Sequence, residues 1–495
     1  MVARPGRSRP PPAGTPRPDT PVADRLSAIR RLAHAAPPVD TAPLLRALAD
    51  PEPVVRRAAA WALGTIRDPR TRTGLEASLG DPDPAVRGSI AEALGALGRP
   101  EARPALERTL ADPQASVRSK AAWALWSIGG DGSVPALAPL LADPEPHVRW
   151  GATAAVGRAR DPGTAPLLIP LLADPNDRVR RQAVLALGEA APPELAPLIR
   201  PLLTDPARRV RIAAAIVLGR ARDGESVDAL VDRLEREEGW VKPALLIALG
   251  RIGDARAVPA IVRSAESRAS WIRVCAIHSL ADLRADAGAE VARAALSDPA
   301  WSVRGAAAEA LGRLGGPGDL RLLLGVLEDP HPWPRRGAIL ALGLLDHAEA
   351  APRIREELKH AIPEVRLAAI WALGRLRDDG AREALAGLLR QSAPVVGPVL
   401  PDAMATGDGA VRLSSDAESR LFDSLVQALG RLAQGESDLL VRRALVEARA
   451  RVDDEGLDRP ARLFAPESDP GTPAPSLRAV FEGALAGLDD DELGC

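Results

Sequence analysis

The amino-acid sequence predicts an all-α fold, a right-handed α-solenoid of stacked helical hairpins. Three observations predict it: a fixed internal period, an apolar helical stripe inside each period, and turn signals between the copies. A period of ~20–50 residues decides the architecture before any single element does, and here it is 31 residues. "LADPEPVVRRAAAWALG" ends at Gly64, "LGDPDPAVRGSIAEALG" at Gly95, "LADPNDRVRRQAVLALG" at Gly188 and "LEDPHPWPRRGAILALG" at Gly343. From Asp50 the register steps through Asp81, Asp112, Asp143, Asp174, Asp205, Arg236, Ser267, Asp298, Asp329 and His360, eleven copies without an insertion.

Offsets counted from those positions define the elements. Apolar or small residues recur at +5, +9, +13 and +16, as in Val55, Ala59, Leu63 and Ile66, which is one stripe of a long helix, here called B. Proline at +3 (Pro53, Pro84, Pro146, Pro332, Pro363) suits its first turn, where a missing N–H costs nothing. Upstream, the pairs Leu44/Leu48, Leu106/Leu110, Leu137/Leu141 and Leu230/Leu234 mark a shorter helix A. One hairpin cannot bury its apolar face alone, so copies stack, and small residues such as Ala59, Ala62, Ala121 and Ala124 let adjacent B helices approach.

The ends depart from the period. Residues 1–18 are rich in Pro and Arg and read as a disordered tail. The solenoid proper is expected over 19–390, opened by Asp24–Ala35 as an unpaired B helix. Residues 391–455 read as a degenerate repeat, with a loop and two closing helices. A flexible linker follows over 456–475, then a short helix with an acidic tail over 476–495.

The pattern "DPxxxVRxxAxxALG" on paired helices resembles HEAT repeats, specifically the short type found in phycobilin lyase (PBS lyase) subunits, over roughly residues 41 to 390. The resemblance implies an armadillo-like superhelix whose B helices line a concave face. It implies little about activity, because solenoids serve as scaffolds, adaptors, lyases and a few enzymes.

Bulk composition narrows the function classes. At 495 residues and 46% hydrophobic the chain buries ample core, and a formal charge of -2 leaves no global basic field for nucleic acid. Only Cys275 and Cys495 are present, no run approaches ~18 apolar residues, and the N-terminus lacks a signal-peptide core. A cytoplasmic protein with no membrane contact is expected. His34, His147, His278, His331, His347 and His360 are scattered without metal-ligand spacing. They lack the His-Glu pairs of the HEAT-like diiron hydroxylases. No catalytic residue, metal or cofactor is expected.

Two columns carry the remaining chemistry. The residue at +6 is always basic, from Arg56 to Arg366 with Lys242 the one lysine. The aspartate at the start of its own or the neighbouring repeat is expected to pair with it as an inter-repeat ladder, weakened where Arg236, Ser267 or His360 replaces that aspartate. The glycine at +14 (Gly64, Gly219, Gly374) is expected where a helix ends or bends.

Tryptophan is the departure from consensus. Offsets +4, +8, +11 and +15 form the stripe opposite the core. Trp240, Trp271 and Trp333 are at +4, Trp301 one residue earlier, and Trp61, Trp123 and Trp371 at +11, with Arg220, Arg251 and Arg313 at +15. Two placements satisfy the pattern: packing between helices, or a face on which tryptophan beside arginine binds a partner. The expected function is a non-catalytic scaffold holding a protein or peptide segment on these residues. A lyase-like subunit and a nucleic-acid binder using groove arginines are the alternatives.

Overall fold

The structure is a computed structural model and describes residues 20–35, 38–129, 131–159, 161–190, 193–391, 424–429, 444, 445 and 448. The expected tail, linker and terminal helix lie outside the described residues. Every described regular element is helical. Contacts divide the chain into two compact units, with the sequence boundary between Ala248 and Leu249.

In the first unit the B helices are Pro53–Ile66, Pro84–Leu97, Ala115–Ile128, Pro146–Gly157, Asp177–Ala190 and Arg208–Arg220, preceded by Val22–Ala33 as the predicted cap. Proline occupies the first helical position wherever +3 carries it in this unit. In the second unit they are Ser270–Asp282, Trp301–Leu314, Pro332–Leu344 and Pro363–Arg375, while Val241–Ile252 contains the boundary. The core columns at +5, +9 and +13 are buried as expected, while +16 is only half-buried in most copies, as at Ile66, Ile128 and Ile252. Ala59, Ile90, Ala121, Ala152, Ala183 and Ala214 at +9 have no exposed surface in the first unit, nor have Ala276, Ala307, Ala338 and Ala369 in the second.

The A helices differ from repeat to repeat. Pro139, Pro170 and Pro201 split three of them into a single α turn (Val134–Leu137, Ala165–Leu168, Ala196–Ile199) followed by a 3-10 segment (Ala138–Ala142, Ile169–Ala173, Arg200–Thr204). The cause is the interior N–H that proline removes. The first unit's other A helices, such as Arg103–Thr109 and Val227–Arg236, are unbroken, as are Val258–Ser264, Asp286–Ala295 and Leu320–Val326 in the second, whereas Ala351–Glu356 runs on into the 3-10 segment Glu357–Lys359.

The glycine at +14 has a different role from the expected one. It lies inside helix B, and a Cβ there would stand 2.7 Å from the Cα of Ala124 at Gly95, and 2.9 Å from that of Ala341 at Gly312. The missing side chain is what lets the next B helix close up. In most copies the residue three further on, at +17, closes the helix end in left-handed backbone, as at Gly98 (φ 66°), Gly129 (φ 72°), Arg67 (φ 57°) and Arg377 (φ 52°), whereas Gly315 is extended (φ -77°). At Gly374 a Cβ would be 2.8 Å from the Cα of Ala428. Residues 424–429 therefore hold the place of the next B helix, and Leu425, Leu429, Ala444 and Leu445 join the second unit's core.

Candidate partner-binding faces

Along most of its length the basic column at +6 forms the inter-repeat ladder, its arginines reaching toward the following repeat. Arg56 donates from Nε and Nη2 to both oxygens of Asp81 at 2.6 and 2.8 Å. Its Nη1 donates to the carbonyls of Asp50 and Pro51 in its own repeat. Asp81 Oδ1 also accepts from the Asp83 N–H, tightening the turn that starts the next helix. The same three-way clasp repeats at Arg87–Asp112, Arg118–Asp143, Arg149–Asp174 and Arg180–Asp205 in the first unit. It repeats at Arg273–Asp298 and Arg304–Asp329 in the second.

Burial, the largest single influence, pushes the carboxyls of Asp81, Asp112, Asp143, Asp174 and Asp205 up. The arginine fork and the turn N–H outweigh it, and each sits below its ordinary 3.8.

Two of the three expected weak points are bridged from outside the column, whereas at Ser267 the facing Lys242 makes no ion pair among the described residues. Where Arg236 replaces aspartate, its neighbour Glu237 accepts from Arg211 at 2.5 Å. Where His360 does, Glu357 accepts from Arg335, while His360 Nδ1 takes over the turn by accepting from the Ile362 N–H at 3.0 Å. The cap adds an unforeseen rung: Arg25, 31 residues before Arg56, is buried and lies 3.1 Å from Asp50. The column's arginines are thus committed to holding repeats together in all these copies.

On the opposite stripe the tryptophans are largely exposed. In the first unit Trp240 is 72% accessible, and Gly239 before it adopts φ 65°, a conformation that suits glycine at the turn into the helix. Trp61 (48%) meets His34 edge-on at 6.0 Å. Trp123 stacks on two tryptophans that the search by columns missed, Trp126 (4.3 Å between centroids, 27°) and Trp150 (5.9 Å, 12°). Arg158 lies over Trp126 at 4.8 Å. Trp126 falls in the +14 glycine column and Trp150 at +7, so a scan for aromatics replacing small residues would have found the first.

In the second unit Trp271, Trp301 and Trp333 are exposed, one in each of three consecutive repeats. Trp301 stacks on His331 at 4.1 Å and 10°, and Arg336 lies over Trp333 at 5.7 Å. Trp371 is placed differently from the others: it is 5% accessible, fills the space left by Gly343, and has Arg375 over its ring at 5.8 Å. Arg220 pairs with Glu189 at 3.2 Å and Arg313 with Asp282 at 2.6 Å, each acid in the preceding repeat. Arg251 is exposed.

A cavity of about 560 Å³ opens in the first unit beside the tryptophan stack, lined by Pro146, His147, Trp150, Asn176, Arg178, Arg181 and Arg209. Among the described residues no group of His, Cys, Asp and Glu is placed to hold a metal ion, and no helix is long and apolar enough to cross a membrane.

These features define an all-α solenoid of stacked helical hairpins, its interior fixed by an arginine ladder and its variable surface on the B helices. More particularly, the chain belongs to the HEAT-repeat family: the family's model for HEAT repeats matches residues 18–82, 41–126, 104–183, 165–244, 227–312, 270–338 and 321–397. No curated protein matches the sequence. Among solved structures, importin beta has a TM-score of 0.54 at 16% identity, over 94% of this chain and 71% of that one. A chain of the structure of Kap95p with RanGDP has a TM-score of 0.53 at 12% identity, over 87% of this chain, which spans only 64% of that one. The complex of CpcE and CpcF of phycocyanin lyase from Nostoc sp. PCC7120 is 25% identical over 50% of this chain and 90% of that one, with a TM-score of 0.26.

Proposed function

We propose that this protein is a non-catalytic scaffold whose B-helix faces bind a segment of a partner protein. The observation that carries the reading is the exposure of Trp271, Trp301 and Trp333 on three successive copies of one repeat. An exposed tryptophan leaves a large apolar surface in water, and repeated at one helix face it makes the anchor pattern of protein interfaces. Trp240 and Trp61 add exposed rings in the first unit. Neighbouring cations are largely neutralised, as in Arg313–Asp282 and Arg336–Glu309, so the face is aromatic more than basic. That favours a peptide with apolar side chains over a nucleic-acid backbone, which needs a continuous positive track.

The test is affinity capture with wild type and a W240A/W271A/W301A/W333A variant of matched fold, judged by circular dichroism. Loss of specific partners from the variant is expected. An unchanged partner list from a folded variant overturns the reading.

A further inference from the structure

The cavity of the first unit differs from the rest of the tryptophan-bearing surface, and its charge points to one kind of occupant. Its wall is Trp150, half-buried and held by stacking on Trp123. Its rim is Arg178, Arg181 and Arg209. Arg209 is answered by Asp177 at 3.0 Å. Arg178 and Arg181, exposed and one helical turn apart, make no ion pair or side-chain hydrogen bond among the described residues. Elsewhere on this face the paired cations Lys120 and Arg220 have Glu92 and Glu189. The cavity's lining therefore carries two unanswered arginines, with Glu145 at its edge 3.9 Å from the lining His147, in a chain whose net charge is -2.

Three B helices also begin here, at Pro146, Asp177 and Arg208, and their first turns add positive potential at the same rim. The site combines an apolar wall with fork-shaped donors that match carboxylates. Asp177 and Glu189, in the same repeat as the two arginines, interrupt any longer basic path, which a nucleic-acid strand would need.

We infer that this cavity binds an acidic partner segment, with Asp or Glu carboxylates on Arg178 and Arg181 and an adjoining apolar side chain against Trp150. The inference rests on the scaffold reading and deepens it by naming the chemistry of one bound segment.

The experiment uses the full chain and fluorescence anisotropy with four labelled probes. They are a ten-residue peptide alternating Glu and Leu, its Gln/Leu counterpart, the same backbone with one phosphoserine and no Glu, and single-stranded oligo-dT. The Glu/Leu peptide is expected to bind at least tenfold more tightly than the other three and to weaken as salt is raised. R178E/R181E, both on the surface, is expected to lose at least tenfold in affinity and W150A several-fold. W271A/W301A/W333A is expected to retain full affinity for this peptide. Equal binding of the Gln/Leu peptide, preference for the phosphopeptide or oligonucleotide, or an unaffected R178E/R181E variant would each overturn the inference. A failure here leaves the capture result with the tryptophan variants standing, whereas failure of that capture removes the scaffold reading, so the two are separable.

Discussion

The first unit and the second use the same 31-residue template and differ in where they spend their departures from it. In the first, every described ladder position from Arg25 to Arg211 carries arginine, and six of its seven acceptors are aspartate. Three of its tryptophans gather, Trp126 and Trp150 each stacked on Trp123. In the second, the rungs at Arg273 and Arg304 keep aspartate and the one at Arg335 turns to Glu357, while Trp271, Trp301 and Trp333 are dealt one to a repeat. The contrast teaches that the ladder fixes how repeats join and leaves the outer stripe free. One unit used that freedom to build a walled cavity and the other an extended row of rings.

The largest expected effect breaks a rung. Arg118→Ala leaves Asp143, itself buried, without its bidentate partner, at a cost of about 3 kcal/mol, the low end for removing one member of a buried pair. Arg335→Ala should cost less, because its carboxylate Glu357 reaches the rung from outside the aspartate column. Hydrogen exchange resolved by repeat is the suitable measurement, since solenoids open piecewise. Equal loss at both sites would erase the distinction drawn between the units.

Next comes close packing. Gly95→Ala places a methyl 2.7 Å from the Cα of Ala124, backbone that cannot swing aside, and should cost about 2 kcal/mol. Gly80→Ala, where no atom lies within 4 Å, should be close to neutral, and thermal denaturation compares the two directly.

Acid should loosen the ladder in both units. The ladder aspartates sit below 3.8 when folded, so the unfolded chain binds more protons in that range. Their contribution is intact above about pH 4 and is lost as pH falls through the folded values. The second unit also holds His278, whose burial pushes it below 6.5 against the pull of Glu309 and Asp282. The unfolded imidazole takes a proton near pH 6.5 that the folded one refuses, so this unit begins to lose stability at that pH. Exchange rates in Ser270–Asp282 followed from pH 7 to 5 would check it, and His278→Gln should flatten the profile.

The smallest effect concerns the rings. Trp123→Ala removes stacking on two partners and should cost about 1 kcal/mol, in the range measured for aromatic pairs. Trp271→Ala, on an exposed ring, should change stability by less than that, with its effect confined to partner capture.

Much of this was legible in the sequence because a repeat averages out local noise. The period, the core columns and the helix starts at Pro53, Pro84 and Pro146 follow from residues that recur. What escaped was whatever left its column. Glu237 and Glu357 rescue rungs from one residue after and three residues before the expected position, which a register count passes over. Gly95 and its equivalents looked like helix ends because glycine more often terminates a helix than admits a neighbour, and only the 2.7 Å approach of Ala124 decides between them. The candidate site was read less completely. Exposure of Trp240 and burial of Trp371 depend on which residue of the adjacent repeat lies opposite, and the cavity depends on Trp150, which shares an offset with Arg181 and not with any other tryptophan.

From Asp50 to Arg180 each copy carries one arginine donor for the copy ahead and one aspartate acceptor for the copy behind. Excision of a whole copy, such as residues 81–111, would bring Arg56 to Asp112 and restore the same joint that Arg56 now makes with Asp81. Duplication would add a joint of the same kind. Over that stretch the ladder is thus spliceable in units of 31 residues, and copies can be removed or added there without redesigning its charged seam.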